Sequence, residues 1–224
     1  MTCETCNGFR FVVKRDGTNN GSASRCPACL PSIDERMKAA GVPPRILAEP
    51  WNSEVQPWPE GLQRPSEAMP LLTIWGPTGS GKSTLAASLL RQHLEAGGRG
   101  RFVHVPSEVE RIRNAYGKSE HDLAGELRED LRSFPGLLVL DELFQEEGLA
   151  RESRGFELPL VQTVVSFREG RCLPTIVTMM LDPALVIAIS PMVGSRMLGS
   201  KCQELNGADQ RVERAIRMAS GGAR

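Results

Sequence analysis

The sequence predicts an α/β chain in which a parallel sheet, covered by helices on both faces, follows a small head organised by four cysteines. Three observations predict it. From Leu71 onward, apolar strands alternate with helical periods, the pattern of a sheet buried on both sides. A glycine-rich turn, Gly76 to Ser83, stands between the first of those strands and the first of those helices. Two Cys-x-x-Cys pairs, Cys3 with Cys6 and Cys26 with Cys29, flank residues 7–25 near the N-terminus.

The bulk numbers agree with that architecture. The 224 residues are 40% apolar and 24% charged, enough for one full domain with a small appendage. The 27 basic and 27 acidic side chains balance, which excludes a uniformly basic nucleic-acid binder and leaves a local basic path open. Asp182 and three prolines interrupt the longest apolar stretch, Pro174 to Val193, so no transmembrane helix is expected. The opening MTCETCNGFR lacks the basic start and apolar core of a secretory signal, so a cytoplasmic, reducing location is expected. There, six cysteines point to metal rather than disulfides.

Three stretches divide the chain: a head over 1–48, a Pro/Trp-rich linker over 49–69 and the strand-helix domain over 70–224. No internal repeat is present. Between the cysteine pairs the head reads as strand, polar turn, strand, which brings the two knuckles together. Ser32 and Glu35 form a capping box, Ile33, Met37 and Ala40 share a face, and Gly41 with Pro43 ends that short helix. Pro50, Pro57, Pro59, Pro65 and Pro70 deny regular structure to the linker. Trp51 and Trp58 there have two readings, anchors over a core edge or a stacking platform for a base.

The domain then reads as strand 71–75, a helix from 81 to about 95 ended by Gly97 and Gly98, and strand 101–105. A helix opened by a second capping box, Ser107 with Glu110, comes next. Another starts after Ser119, with Leu123, Leu127 and Leu131 on one stripe. Strand 137–141, a helix from about 158 to 168 and a strand from Thr175 complete the alternation.

Chemistry concentrates at four places. In GPTGSGKS, Gly76, Gly79 and Gly81 let the loop curl so that backbone N–H groups face phosphates, and the helix N-terminus adds positive potential. Lys82 reaches the β- and γ-phosphates, Ser83 coordinates magnesium, and Pro77, Thr78, Ser80 and Thr84 complete the expected nucleotide-binding set. The strand LLVLDE places Asp141 where an acid orients magnesium, and Glu142 beside it suits a general base that polarises water, which favours hydrolysis. Thr178 ends a later strand, as a sensor of the γ-phosphate or attacking water, or as a β-branched residue of the core.

The cysteine pairs have the spacing of a four-thiolate zinc site, with a redox dithiol as the alternative for a single pair. A head below about 50 residues builds little core, so the metal would supply much of its folding energy. Arg10, Lys14, Arg15 and Arg25 either contact phosphates or a partner, or are simply solvated. Cys172 and Cys202 are expected to be small buried hydrophobes. His93, His104 and His121 have no ligand-like spacing and receive no role.

With this phosphate loop, LLVLDE, a later strand ending in Thr178, then SRM at 195–197 and GADQR at 207–211, residues from about 44 to 214 resemble the DnaC and IstB branch of AAA+ ATPases. The cysteine head, the short helix and the GVPPR turn at 41–45 look more like the DnaC-type helicase loaders of phages and bacteria. The resemblance implies a P-loop NTPase sheet of the AAA+/ASCE type, with the Thr178 strand between the phosphate-loop strand and the Asp141 strand. It implies a ring or spiral with nucleotide between subunits of a homo-oligomer, where Ser195 and Arg196 supply an arginine finger to the neighbour's site. The family's D-x-R element falls on Asp209 and Arg211, the latter expected at the nucleotide, near a strand expected at 203–205.

Thirteen residues come after Arg211, so no C-terminal lid domain is expected. Arg211, Arg214 and Arg217 opposite Val212, Ala215, Ile216 and Ala219 suggest a terminal amphipathic helix whose basic face either binds DNA or is solvated. Met180 stands where relatives commonly carry Asn, which predicts slow or partner-dependent hydrolysis.

The resulting expectation is an ATPase using ATP, Mg2+ and Zn2+. It acts as a helicase loader that binds a replicative hexameric helicase, gripped by the head, and single-stranded DNA, with no membrane partner. An IstB-like ATPase assisting a transposase is the alternative, and a nucleotide-gated interaction module with little turnover is another. A small-molecule kinase is disfavoured by the Asp141–Glu142 pair and the missing lid.

Overall fold

The computed structural model describes residues 3–7, 9, 11–15, 21–29, 31–54, 56–115, 123–144, 157–207, 209, 210 and 212. Arg10, Ser119, His121 and Arg211 lie outside them, as does the expected terminal helix apart from Gln210 and Val212, whose backbone is helical. The chain forms two compact units, Met1–Arg36 and Met37–Arg224.

The head is a two-stranded antiparallel hairpin, β1 (Phe11–Arg15) and β2 (Gly21–Arg25), between two cysteine turns. In each turn a backbone bond closes over the knuckle: Phe9 N–H donates to Cys6 O at 2.9 Å and Cys29 N–H to Cys26 O at 3.1 Å. The expected capping box opens α1 (Ile33–Ala39): Ser32 N–H donates to Glu35 Oε2 at 2.7 Å and Glu35 N–H to Ser32 Oγ at 3.2 Å. Gly41 ends that helix in the left-handed region, φ 90°, where a Cβ would press to 2.7 Å from Phe102 O.

The second unit is a five-stranded parallel sheet in the order β4-β5-β6-β3-β7. Its strands are β3 (Leu71–Trp75), β4 (Gly100–His104), β5 (Leu137–Leu143), β6 (Thr175–Met179) and β7 (Lys201–Glu204). As the resemblance implied, β6 lies between β3 and β5. α2 (Pro44–Ala48) packs on α3 (Lys82–Glu95), which covers one sheet face. The other face carries α4 (Val105–Ala115), α5 (Leu123–Ser133), α6 (Glu157–Gly170) and α8 (Pro191–Gly199), and α7 (Pro183–Ile189) packs on α8.

Period-two alternation divides the strand side chains between two cores. Leu71, Leu138, Leu140 and Val177 join Val109, Leu131, Val161 and Met197 on the four-helix face. Leu72, Ile74, Val139 and Ile176 alternate with them toward α3, which buries Leu85, Leu89 and Leu90.

Arg168 on α6 is fully buried. Its guanidinium donates to Thr175 Oγ1 (2.9 Å), Phe134 O (2.7 Å), Gly136 O (2.7 Å) and Pro174 O (2.9 Å), so carbonyl dipoles stand in for a counter-ion. Burial pulls its pKa down to about 10. The residue staples the end of α5 to the start of β6, and nothing in the sequence marked it.

Three expectations are corrected. α4 begins at Val105, directly at the end of β4, so Ser107 and Glu110 do not form its opening box; Ser107 Oγ bonds His104 Nδ1 at 2.7 Å instead. β7 starts at Lys201, earlier than the 203–205 expected, because its pairing with β3 begins at Leu72. Cys172 and Cys202 are exposed rather than buried, Cys172 in the turn after α6 at φ 54° and Cys202 on the edge strand. Among the described residues no helix is long and apolar enough to cross a membrane.

Candidate functional site

Two sites stand on these units, a thiolate cluster in the head and a cavity at the carboxyl ends of β3, β4, β5 and β6. In the head the sulfurs of Cys3, Cys6, Cys26 and Cys29 lie within 4.8 Å of one another, with Cys3 to Cys26 at 3.8 Å and Cys6 to Cys29 at 3.4 Å. Tetrahedral zinc with Zn–S bonds of about 2.3 Å puts sulfurs about 3.8 Å apart, so the cluster fits that ion. Backbone hydrogen bonding, Cys6 N–H first, pulls the Cys3 thiol down to about 6, while hydrogen bonds shared with Cys3 and Cys6 push Cys29 up to about 12. Burial raises Cys26. One thiolate thus suppresses the next, and a divalent cation removes that conflict.

In the second unit, β3 delivers the chain to the phosphate loop. Gly76, Gly79 and Gly81 have φ of 144°, 76° and 91°, a curl that side chains would strain, and α3 starts at Lys82. A Cβ at Gly76 would overlap Leu205 O, so the loop also needs glycine to pass the end of β7. Lys82 Nζ donates to Gly76 O (2.8 Å) and Pro77 O (2.6 Å), which holds the ammonium over its own loop. Thr78, Ser83 and Thr84 line a cavity of about 450 Å³, and Ser80 is buried beneath it.

The acids arrive on β5. Asp141 is 3% exposed; Thr178 Oγ1 donates to its Oδ1 at 2.6 Å, and the Ser83 hydroxyl lies beside the same carboxyl. Burial raises the Asp141 pKa, and these two hydroxyls oppose that rise. Thr178 also accepts from Glu142 N–H at 3.0 Å, so one hydroxyl fixes both acids. Thr178 is fully buried, and Met179 and Met180 are the residues at the end of β6 that line the cavity. Glu142 takes φ 64° where the β5–β6 register shifts between Leu140 and Leu143. The bulge turns this side chain into the cavity beside its buried neighbour.

Glu142 does not stand alone. Its Oε2 bonds His104 Nε2 at 2.9 Å, and His104 Nδ1 meets Ser107 Oγ at 2.7 Å. The parallel register that pairs His104 with Asp141 puts them together. Sequence reasoning gave His104 no role; ligand spacing is the wrong test for a residue recruited by a neighbouring strand. Pro43, Arg45, Ile46 and Glu49, on and around α2, form the cavity's far wall.

Two glutamines were also missed. Gln56 Nε2 donates to Ser80 O at 3.3 Å, Gln210 N–H donates to Gly79 O at 3.1 Å, and the two side chains bond each other. Asp209 lies with them, its carboxylate against the loop where a Cβ on Gly79 would stand. Trp51 packs at Gly81, edge-on to Trp58 at 6.1 Å, and is not part of the cavity lining. Arg196 lies away from the cavity, donating to Glu169 Oε2 (3.2 Å) and Met192 O (2.9 Å), and Arg211 is outside the described residues.

A glycine loop ahead of a helix, a buried acid on the second strand over and a polar residue between them define a P-loop nucleoside-triphosphatase sheet. Solved structures carry the comparison further. Domain III of the Thermotoga maritima replication initiation protein DnaA superposes with a TM-score of 0.52 at 16% identity, over 84% of this chain and 68% of that one. A replication initiator DnaA bound to AMPPCP and single-stranded DNA gives 0.50 at 15% identity, over 70% of this chain and 47% of that one. A DnaC helicase loader gives 0.47 at 24% identity, over 64% and 82%. The chain therefore spans about half the length of that DnaA. No family model and no curated relative matches the chain in sequence. The second unit has the AAA+ fold found in replication-initiation proteins.

Proposed function

We propose that the chain is an ATP-dependent loader that binds a replicative helicase and single-stranded DNA at the initiation of replication. The observation that supports it is the convergence of Lys82, Ser83, Asp141 and Glu142 on one cavity of an AAA+ sheet. The residues fit a magnesium triphosphate: a left-handed glycine loop, an ammonium above it, and a serine hydroxyl beside a buried carboxyl. The Asp209 carboxylate against Gly79 is itself an anion seated on that loop.

When bound, the magnesium triphosphate supplies an electrophilic phosphorus whose oxygens the metal charge neutralises. Lys82, now on two loop carbonyls, would bind phosphate oxygens, and Ser83 and Asp141 would hold the metal. Thr178 keeps both acids in register. Glu142 would take the proton of the attacking water on a carboxylate that His104 holds in place through Oε2. Arg196, held on α8 by Glu169, would complete the site of a neighbouring subunit, and Arg211, outside the described residues, keeps the nucleotide role that the resemblance implies. Cys3, Cys6, Cys26 and Cys29 would hold zinc, which would supply much of the head's folding energy.

A second reading, a nucleotide-gated module with little turnover, has its own support: Met180 is 39% exposed with Sδ 3.5 Å from Thr78 Oγ1, so a thioether occupies the position of a polar group. Size-exclusion chromatography with light scattering, mixing the zinc-loaded chain with the hexameric helicase with and without ATP, tests the loader. Co-elution is expected, and its absence in both conditions would move the proposal to a transposase-type partner. Glu142→Gln should leave nucleotide bound and lower turnover by roughly 10²–10⁴-fold. Turnover too slow to measure in the wild type with helicase and DNA present would favour the gated module.

A further inference from the structure

The hairpin of the head carries a surface that the nucleotide cavity does not use. Phe11 and Val13 alternate along β1 and so share one face, with Phe9 two residues ahead; they are 54%, 60% and 80% exposed. Among the described residues of the head, the buried hydrophobics are Cys6 and Cys26, so two phenylalanines stand in solvent while cysteines fill the interior. Two apolar side chains exposed on one strand face, with a third exposed in the cysteine turn just ahead of that strand, mark a binding surface on a unit this small.

The register says what the line is made to meet. Phe11 pairs with Arg25, Val13 with Ala23 and Arg15 with Gly21. The face that holds the aromatic residue therefore also holds two arginine positions, with a methyl group and a glycine as the remaining cross-strand partners. No acidic residue occupies a register position on it. From Phe9 to Arg25 the segment counts Arg10, Lys14, Arg15 and Arg25 against Asp16 alone, in a chain whose total charge is zero. A basic excess gathered around exposed rings complements a polyanion that carries its own flat apolar groups.

We infer that this hairpin face binds single-stranded nucleic acid, with Phe9 and Phe11 stacking on bases and Arg15 and Arg25 neutralising phosphates, without need of nucleotide at the phosphate loop. The contact belongs to the head alone: it assigns a surface to the single-stranded DNA that the loader proposal names, and it depends on neither a helicase complex nor the expectation that the head grips a helicase.

Fluorescence anisotropy of a labelled oligothymidylate with the zinc-loaded chain tests it, in low salt without nucleotide or magnesium. Binding is expected, and Phe9→Leu with Phe11→Leu, which keeps apolar bulk and removes the rings, should weaken it about tenfold or more. Arg15→Ala with Arg25→Ala should weaken it and flatten the dependence of log affinity on log salt by roughly one unit or more. Zinc content, measured with a chromogenic chelator, reports whether each variant keeps its head folded; if the leucine pair loses zinc, Phe9→Ser alone replaces it, since Phe9 lies outside the strands. No binding by the wild type, or wild-type binding by the zinc-retaining ring variant, overturns the inference. Ring variants that still bind oligothymidylate but no longer co-elute with the helicase would assign the face to a protein partner. A failed loader proposal looks different: oligothymidylate binding intact and no helicase complex.

Discussion

The head and the sheet unit hold themselves together by different means. Among the described residues of the head, cysteines are the buried hydrophobics, and the four sulfurs within 4.8 Å are its centre. The sheet unit has apolar layers on both faces of five strands, from Leu72 and Leu85 on one side to Leu138 and Val177 on the other. A unit centred on four sulfurs buries few apolar side chains, and Phe9 and Phe11 stay exposed. A unit with two cores can hold groups that oppose folding: a buried Asp141 carboxyl, a Glu142 backbone at φ 64° and an Arg168 guanidinium matched by carbonyls.

Metal removal should separate the two units most strongly. Thiolate zinc sites supply on the order of 10–16 kcal/mol to small folds, so a strong chelator should abolish hydrogen-exchange protection in β1 and β2 while β3, β5 and β6 keep theirs. Surviving hairpin protection would mean that the head has a core of its own. The reverse experiment strikes the other unit: Arg168→Met strands several buried carbonyls and should cost about 3–5 kcal/mol in urea unfolding, with bound zinc unchanged. A cost near zero would show that water reaches those carbonyls.

Asp141 sharpens the comparison through pH. Burial holds its pKa above the ordinary carboxylate value of 3.8, so the folded state keeps a proton that the unfolded state releases. Its effect on stability therefore becomes less favourable as pH rises from about 4 through the folded value, and at neutral pH the full desolvation opposes folding. Asp141→Asn should melt higher than wild type near pH 7, with the gap closing toward pH 4, and should lose the melting shift given by magnesium nucleotide. Equal melting curves at neutral pH would place the carboxylate in a better-solvated site. The smallest effect belongs to the loop's own anion: Asp209→Asn should tighten a fluorescent ATP analogue a few-fold by removing a charge beside Gly79. Weaker binding would make Asp209 a positioning residue for the loop.

Legibility tracked distance along the chain. The phosphate loop, the acids at the end of β5 and the paired cysteines are contiguous patterns, and each appears in the structure where its spacing placed it. The Ser32–Glu35 box was equally local and formed. The second box did not, because Ser107 is taken by His104 and α4 starts two residues earlier. His104 itself was illegible, since its partner Glu142 is 38 residues away and reaches it only through the β4–β5 register. Gln56 and Gln210 meet across 154 residues with no period to announce them.

By itself, then, the sequence determined the alternation of strands and helices, the glycine loop between β3 and α3, the strand that ends in two acids and the four-cysteine spacing. Bond geometry and side-chain period operate within a few residues, and these features need nothing more. The tertiary structure decided which groups those residues answer to: Thr178 gripping both acids, His104 holding Glu142, Asp209 and Gln210 closing on the phosphate loop, and Arg168 tying α5 to β6. Those contacts are set by strand order and register, and only packing the whole sheet fixes either one.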